Sequence, residues 1–159
     1  MASKLLTKSR YLSGLQCFKY LWVSVHDAKR LPEYDTATLY RFDQGKQVGE
    51  LAKELYPDGV DIAADDFFGN IRQTMELIRQ RKPLFEASVK TGRLYSRADI
   101  LNPVEDNQWD IIEVKSGTSV KDIDVHDVSF QRYCFEQAGL KIRKTFLMHI
   151  DNTLSLIHI

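Results

Sequence analysis

Three residues of this chain, Asp99, Glu113 and Lys115, have the types and spacing to do chemistry together. Glu113 and Lys115 lie two positions apart in the segment WDIIEVK, residues 109–115. Because side chains alternate between the two faces of a β-strand, a strand here places this carboxylate and this ammonium side by side. Two carboxylates can hold a hard divalent cation, and a neighbouring lysine can orient a water and offset negative charge. The set therefore indicates metal-dependent cleavage of a phosphodiester.

Two predicted strands position these residues. Residues 94–101 and 109–115 both have strand character, and the link between them is rich in turn-forming residues. A strand–turn–strand unit of this kind brings Asp99 next to Glu113. The second strand carries apolar residues on both faces, which favours a buried central strand. The alternative is a solvated ion pair between Glu113 and Lys115 on an edge strand.

Hydrophobic periodicity predicts the elements around this unit. Helices are expected from Ser9 to about Val25, from Tyr40 to Tyr56, from Asp65 or Asp66 to Arg81, and from Val125 to Ala138, and further strands at 84–90 and 145–150. The inward residues are expected to be Val48, Leu51, Ala52 and Leu55 on the second helix, Ile71, Met75 and Ile78 on the third, and Phe85, Ala87 and Val89 on the first strand. The order α-α-α-β-β-β-α-β predicts an α/β fold with a mixed β-sheet flanked by helices.

The composition sets limits on the class of protein. With 159 residues and 43% hydrophobic content, the chain fits a single domain at 1–152, followed by a tail of uncertain origin at 153–159. Because the predicted sheet is small, we expect the chain to be the N-terminal part of a longer protein. The net charge is zero, yet basic residues are concentrated in residues 1–30, which suits either a nucleic-acid partner or ordinary solvated faces.

The two cysteines, Cys17 and Cys134, do not form a disulfide framework. The sequence shows no signal peptide and no apolar run long enough to span a membrane, so we expect a cytoplasmic protein and no membrane partner. The oligomeric state is not predicted.

The order and spacing of these residues resemble the PD-(D/E)XK nuclease superfamily. Asp99 matches the central acid of that family, Glu113-Val114-Lys115 matches its (D/E)-x-K motif, and Gln131 matches the glutamine of the following helix. The segment LSGLQCFK, residues 12–19, resembles the part of RecB-like nucleases and CRISPR-adaptation exonucleases that carries the first iron–sulfur cysteine. Gly49 stands where the family usually has a histidine, and Phe135 stands where it has a tyrosine, with Tyr133 displaced.

The resemblance implies a restriction-endonuclease-like core and a deoxyribonuclease, more specifically an exonuclease, that depends on Mg²⁺ or Mn²⁺. Asp99, Glu113 and the Val114 carbonyl would bind the metal, Lys115 would act on the attacking water, and Gln131 would hold a phosphate or that water. Glu86 is a candidate additional ligand, with a surface glutamate as the alternative. Cys17 is a candidate iron–sulfur ligand, with a free thiol as the alternative.

Two other classes of function remain open for the sequence. One is a non-catalytic nucleic-acid-binding module that keeps the nuclease fold, which the missing histidine at Gly49 favours. The other is a structural or interaction domain in which Asp99, Glu113 and Lys115 form ordinary ion pairs and Gln131 bonds to backbone.

Overall fold

The computed structural model describes residues 5–62 and 66–153. Within these residues the chain forms an α/β fold, in which five α-helices flank one open, mixed sheet of six strands. Asp65, one of the two predicted helix caps, lies outside the described residues, as does the predicted tail beyond Thr153.

The elements follow one another along the chain as β1 (Leu6–Thr7), α1 (Lys8–Gln16), α2 (Phe18–His26), α3 (Thr36–Lys53), β2 (Val60–Asp61), α4 (Phe67–Leu77), β3 (Leu84–Thr91), β4 (Leu94–Val104), β5 (Gln108–Lys115), α5 (Asp122–Gln137) and β6 (Lys141–His149). Short 3₁₀ turns cover Ala28–Arg30 and Ile78–Gln80. The predicted order is therefore incomplete, because it lacks the two-residue strands β1 and β2 and counts α1 and α2 as one helix.

Cys17 separates α1 from α2. Its backbone is extended, with φ −166° and ψ 117°, so the helical hydrogen-bond pattern stops there and restarts at Phe18. The side chain of Thr7 accepts a hydrogen bond from the Arg10 N–H, which makes Thr7 the cap of α1 in place of the predicted Ser9.

The second predicted helix is also displaced. α3 begins after Asp35, whose carboxylate caps it by accepting from the Thr38 N–H, and it ends at Lys53. Ala52 is buried, but Leu51 and Leu55 are 61% and 67% exposed, so the predicted buried stripe is wrong. No helix in residues 5–62 or 66–153 combines the length and the apolar content needed to cross a membrane.

The sheet has the order β2-β3-β4-β5-β6, with β1 paired beside the start of β4. The β3–β4 and β4–β5 pairs are antiparallel, and the β1–β4, β2–β3 and β5–β6 pairs are parallel. Since β3 runs along one side of β4, β1 and β5 share its other side. β1 pairs with Leu94 and Tyr95, and β5 pairs with the later residues of β4 from Ile100 onward. The residue that follows β1, Lys8, is thereby brought to the end of β5.

At Asp99, β4 pairs neither with β3 nor with β5. The pairs on either side of this interruption are Phe85–Ile100 and Ala87–Ala98 towards β3 and, towards β5, Ile100–Ile112. Opposite Asp99, Glu86 has a φ of 60°, a left-handed conformation that is uncommon for a residue with a side chain. The strand's alternation shifts there, so Phe85 packs in a different core cluster from Ala87 and Val89. The predicted common face of these three residues is therefore wrong.

Two buried polar residues of α4 hold the irregular part of β3. The Asn70 side chain donates to the Glu86 carbonyl and accepts from the Ser88 hydroxyl, and the Thr74 hydroxyl accepts from the Ser88 N–H at 3.0 Å. These bonds supply partners for a stretch whose backbone pairing is interrupted. They also turn Asn70 and Thr74 inward and leave Met75, which the sequence places inward, 45% exposed.

The core lies on both faces of the sheet. The larger cluster joins one face to α5 and contains Leu84, Ala87, Val89, Ala98, Leu101, Trp109, Ile111, Phe130, Cys134, Phe135 and Ile142, together with Ile62. The smaller cluster packs Ala52 of α3 against Phe85, Ile100 and Ile112. β5 contributes to both clusters, because its alternate residues point to opposite faces.

Candidate active site

Glu113 and Lys115 lie at the end of a central strand. β5 is hydrogen-bonded to β4 on one side and β6 on the other, and Glu113 is 3% exposed. The two side chains contact each other at 2.8 Å on the same side of the sheet as α5, as the strand periodicity predicts. The alternative of a solvated ion pair on an edge strand is therefore wrong.

Both oxygens of the Glu113 carboxylate are saturated with hydrogen-bond donors. The Lys8 ammonium contacts Oε1 at 2.9 Å and Oε2 at 3.0 Å. Lys115 donates to Oε1 at 2.8 Å, and the side-chain amide of Gln131 donates to Oε2 at 2.6 Å. Because a carboxylate has about four lone-pair sites, these four contacts use its full accepting capacity.

Asp127 is a second buried carboxylate of the same cluster. It accepts from Lys115 at 2.6 Å and from Gln131 at 3.0 Å, and its Oδ1 lies 3.5 Å from the Lys8 ammonium. Asp127 and Gln131 are four residues apart on α5, so they lie on one face of the helix. The cluster thus joins the first turn of α1, the end of β5 and one face of α5.

Asp99 reaches the cluster from β4. Its Oδ2 accepts a hydrogen bond of 2.7 Å from the backbone N–H of Val114, beyond the point where the β4–β5 ladder ends. Burial raises the pKa of the Asp99 carboxyl, and the charge of Glu86 adds to the rise, whereas Lys8 and the Val114 N–H oppose it. The Lys8 ammonium therefore acts on the charges of both Asp99 and Glu113, which the sequence predicts to be neighbours.

The two ammonium groups of the cluster stay charged. Burial alone would lower the pKa of Lys8, but the carboxylates of Glu113, Asp99 and Asp127 outweigh it and raise that pKa. The same balance raises the pKa of Lys115, for which Glu113 and Asp127 are the opposing charges. A charged Lys115 can orient a water or offset negative charge, but it cannot accept a proton.

The cluster has the donor chemistry for a hard divalent cation, although its present contacts compete with one. Carboxylate oxygens are the ligands that Mg²⁺ and Mn²⁺ prefer. In the described part of the chain, the buried Oε1 of Gln131 has no hydrogen-bond partner, so it can accept from a water or a ligand. Among the same residues no group of three His, Cys, Asp or Glu side chains is arranged to hold a metal. A cation would therefore have to exchange with a donor that now contacts Glu113.

The other predicted site residues lie around the cluster. Glu86 forms an ion pair of 2.8 Å with Arg97 and is partly exposed, and its charge acts on Asp99. Cys17 is an exposed free thiol at the α1–α2 break, and Cys134 is a buried free thiol on α5. Glu86 is therefore close enough to Asp99 for its charge to act on that carboxylate. Neither α1 nor α2 carries a second cysteine beside Cys17.

Lys8 and Asp127 are not among the site residues predicted from the sequence. Asp127 has a detectable signal, because it precedes Gln131 by one helical turn and so shares its face. Lys8 has none, because it is 105 positions from Glu113 and reaches it through long-range contacts such as the pairing of β1 with β4.

Comparisons with known proteins assign no family to this chain. Searches against family models, curated proteins and solved structures each returned no match. The resemblance to PD-(D/E)XK nucleases therefore stays a prediction that rests on the residues themselves.

Proposed function

We propose that this chain is a metal-dependent phosphodiesterase that cleaves DNA, with a restriction-endonuclease-like core. The observation that carries the proposal is the contact of Glu113 with Lys115 and Gln131, from β5 and α5, with Asp99 of β4 bonded to the backbone N–H of Val114 between Glu113 and Lys115. Burying several carboxylates and ammonium groups together is costly, and an apolar cluster would stabilise the fold as well or better. Chemistry at the site is a reason to keep such a group.

Each residue has a role that follows from its contacts. Asp99 and Glu113 would hold Mg²⁺ or Mn²⁺, with the Val114 carbonyl and Glu86 as candidate further ligands. When bound, such an ion stabilises negative charge on a phosphate and makes a water nucleophilic. Lys115 keeps its charge and would offset the negative charge that develops on the phosphate. Gln131 orients Glu113 through its amide group and offers its unpaired Oε1 to the attacking water.

DNA is the substrate that the family resemblance implies, and the basic residues early in the chain are compatible with it. The unpaired thiols of Cys17 and Cys134 accord with a reducing compartment such as the cytoplasm. An iron–sulfur cluster at Cys17 belongs to this proposal only for a longer protein, because Cys134 is fully buried in the core.

The test is cleavage of end-labelled single- and double-stranded DNA in Mg²⁺, Mn²⁺ or EDTA. Cleavage should require the metal and should fall by a factor of about 100 or more in Lys115→Met, since this variant loses the charge that offsets the phosphate. Lys53→Met is the matched control, because Lys53 also bridges two carboxylates, Glu50 and Asp61, away from the site. Equal activity in the two variants would contradict the proposed role of Lys115.

A non-catalytic nucleic-acid-binding module is the second candidate. The observation that favours it is the full saturation of Glu113 by Lys8, Lys115 and Gln131, which leaves the carboxylate without a free site. Under this alternative the folded protein retains DNA in a filter-binding assay but cleaves none in any metal. Cleavage that EDTA abolishes would exclude it.

A further inference from the structure

The Lys8 ammonium occupies two of the four acceptor sites of the Glu113 carboxylate, one on each oxygen, at 2.9 and 3.0 Å. Lys115 and Gln131 occupy one site each. Departure of Lys8 alone would therefore free one site on both oxygens, whereas departure of either other residue frees one oxygen only. Removal of Lys8 would therefore leave more free acceptor sites on Glu113 than removal of Lys115 or Gln131.

The backbone of Lys8 is fixed in this place by two separate contacts. The pairing of Leu6 and Thr7 with Leu94 and Tyr95 sets the residue before it. One turn further on, Tyr11 of α1 stacks on Phe130 of α5 with ring centroids 4.8 Å apart. These contacts hold the start of α1 against the cluster.

The side chain of Lys8 is nevertheless partly open to solvent. It is 25% exposed, and its four-carbon stem is flexible and its ammonium strongly hydrated in water. When the Lys8 ammonium leaves Glu113, it can stay close to Asp127, whose Oδ1 is 3.5 Å from it. Lys8 therefore combines a fixed backbone with a flexible, partly exposed side chain.

We infer that Lys8 is a built-in competitor of the divalent cation at Glu113, so that metal binds by displacing the Lys8 ammonium and Lys8 sets the metal concentration at which the site is occupied. This inference rests on the proposed function, because it assigns a regulation to the same site. It differs from a structural role of Lys8 in one measurable respect. A lysine that acts only through its charge or through the fold keeps its contact with Glu113 when metal binds, whereas a displaced lysine loses that contact.

The experiment is calorimetric titration of Mn²⁺ into wild type, Lys8→Met and Lys53→Met, without DNA. Lys8→Met keeps the length of the side chain and should bind Mn²⁺ at least about tenfold more tightly than wild type. Lys53→Met should bind as wild type does, because Lys53 is similarly exposed at 21% and similarly paired, but with Glu50 and Asp61. Mn²⁺ affinity of Lys8→Met equal to or below that of wild type would overturn the inference.

A measurement on wild type covers the case in which Lys8→Met does not fold. A lysine ammonium held by carboxylates gives a slowly exchanging ¹H–¹⁵N signal in NMR, and Lys8→Gln provides its assignment. Mg²⁺ at saturation should abolish the Lys8 signal, and persistence of the signal would overturn the inference. If wild type cleaves DNA but Lys8 is not displaced, only the inference fails. If neither wild type nor variant binds a divalent ion, the proposed function fails and the inference with it.

Discussion

Replacing the buried Asp127 with asparagine should destabilise the protein far more than the same change at the exposed Asp61. Both carboxylates accept a short contact from a lysine, at 2.6 Å from Lys115 and 2.7 Å from Lys53. Each lysine also has a second carboxylate partner and so stays paired after the change. The two sites differ in burial, because the Asp127 side chain is 2% exposed and that of Asp61 is 66% exposed. Asp127 also accepts from Gln131 and lies 3.5 Å from Lys8, which adds to the expected difference.

The size of the effect follows from that difference. An exposed ion pair contributes about 0–1 kcal/mol, and we expect Asp61→Asn to cost less than about 0.5 kcal/mol. Removing one partner of a fully buried pair costs about 3–5 kcal/mol. Lys8 and Lys115 keep about a quarter of their side chains exposed, so their ammonium groups can regain hydration. We therefore expect Asp127→Asn to lower the free energy of unfolding by about 2 kcal/mol.

The assay is urea unfolding followed by the fluorescence of Trp109, which is 3% exposed and packed in the larger core cluster. A change in the midpoint at constant m-value reports stability alone. Equal losses for Asp127→Asn and Asp61→Asn would refute the reasoning, because burial would then not govern the strength of the pair. A gain in stability for Asp127→Asn would show that its charge is not needed to balance the ammonium groups.

Two further predictions concern the strained residue and the thiols. Glu86→Gly should be more stable than Glu86→Ala by about 1 kcal/mol in the same unfolding assay, because both lose the Arg97 ion pair and only glycine relieves the φ of 60°. Equal stabilities would mean that Glu86 changes conformation at no cost. A disulfide thiol reagent should modify the exposed Cys17 in the folded protein and Cys134 only in urea, since burial raises the pKa of Cys134 to about 12. Similar rates for both thiols in the folded protein would contradict the burial of Cys134.

The part of the fold that could be predicted is the part whose pattern is regular. β5 alternates without interruption, so the face shared by Trp109, Ile111 and Glu113 follows from its sequence alone. The burial of Gln131 on α5 follows in the same way from helical spacing. These two elements carry Glu113, Lys115 and Gln131, so the contacts among these three residues follow from regular patterns, whereas Lys8 and Asp127 are missed.

The irregular features could not be predicted, because long-range contacts create them. The left-handed Glu86 breaks the period of β3, and the bonds that accommodate it come from Asn70 and Thr74 on a helix earlier in the chain. The inward polar residues Asn70 and Thr74 also rotate α4 from the expected orientation, so that Met75 is exposed while Ile71 and Ile78 stay half-buried. A periodicity argument assigns such residues to the surface, since it has no means to foresee their partners.

The charges of the cluster leave room for a divalent cation. Lys8 and Lys115 face the carboxylates of Asp99, Glu113 and Asp127, and Asp124 lies 3.9 Å from Lys115, so four carboxylates oppose two ammonium groups. A divalent cation would therefore balance this set without the loss of an ammonium charge. The exchange that we infer at Lys8 follows instead from geometry, because Lys8, Lys115 and Gln131 fill all four acceptor sites of Glu113. The two residues of β1 thus position the charge of Lys8 at the end of β5, in addition to pairing with β4 in the sheet.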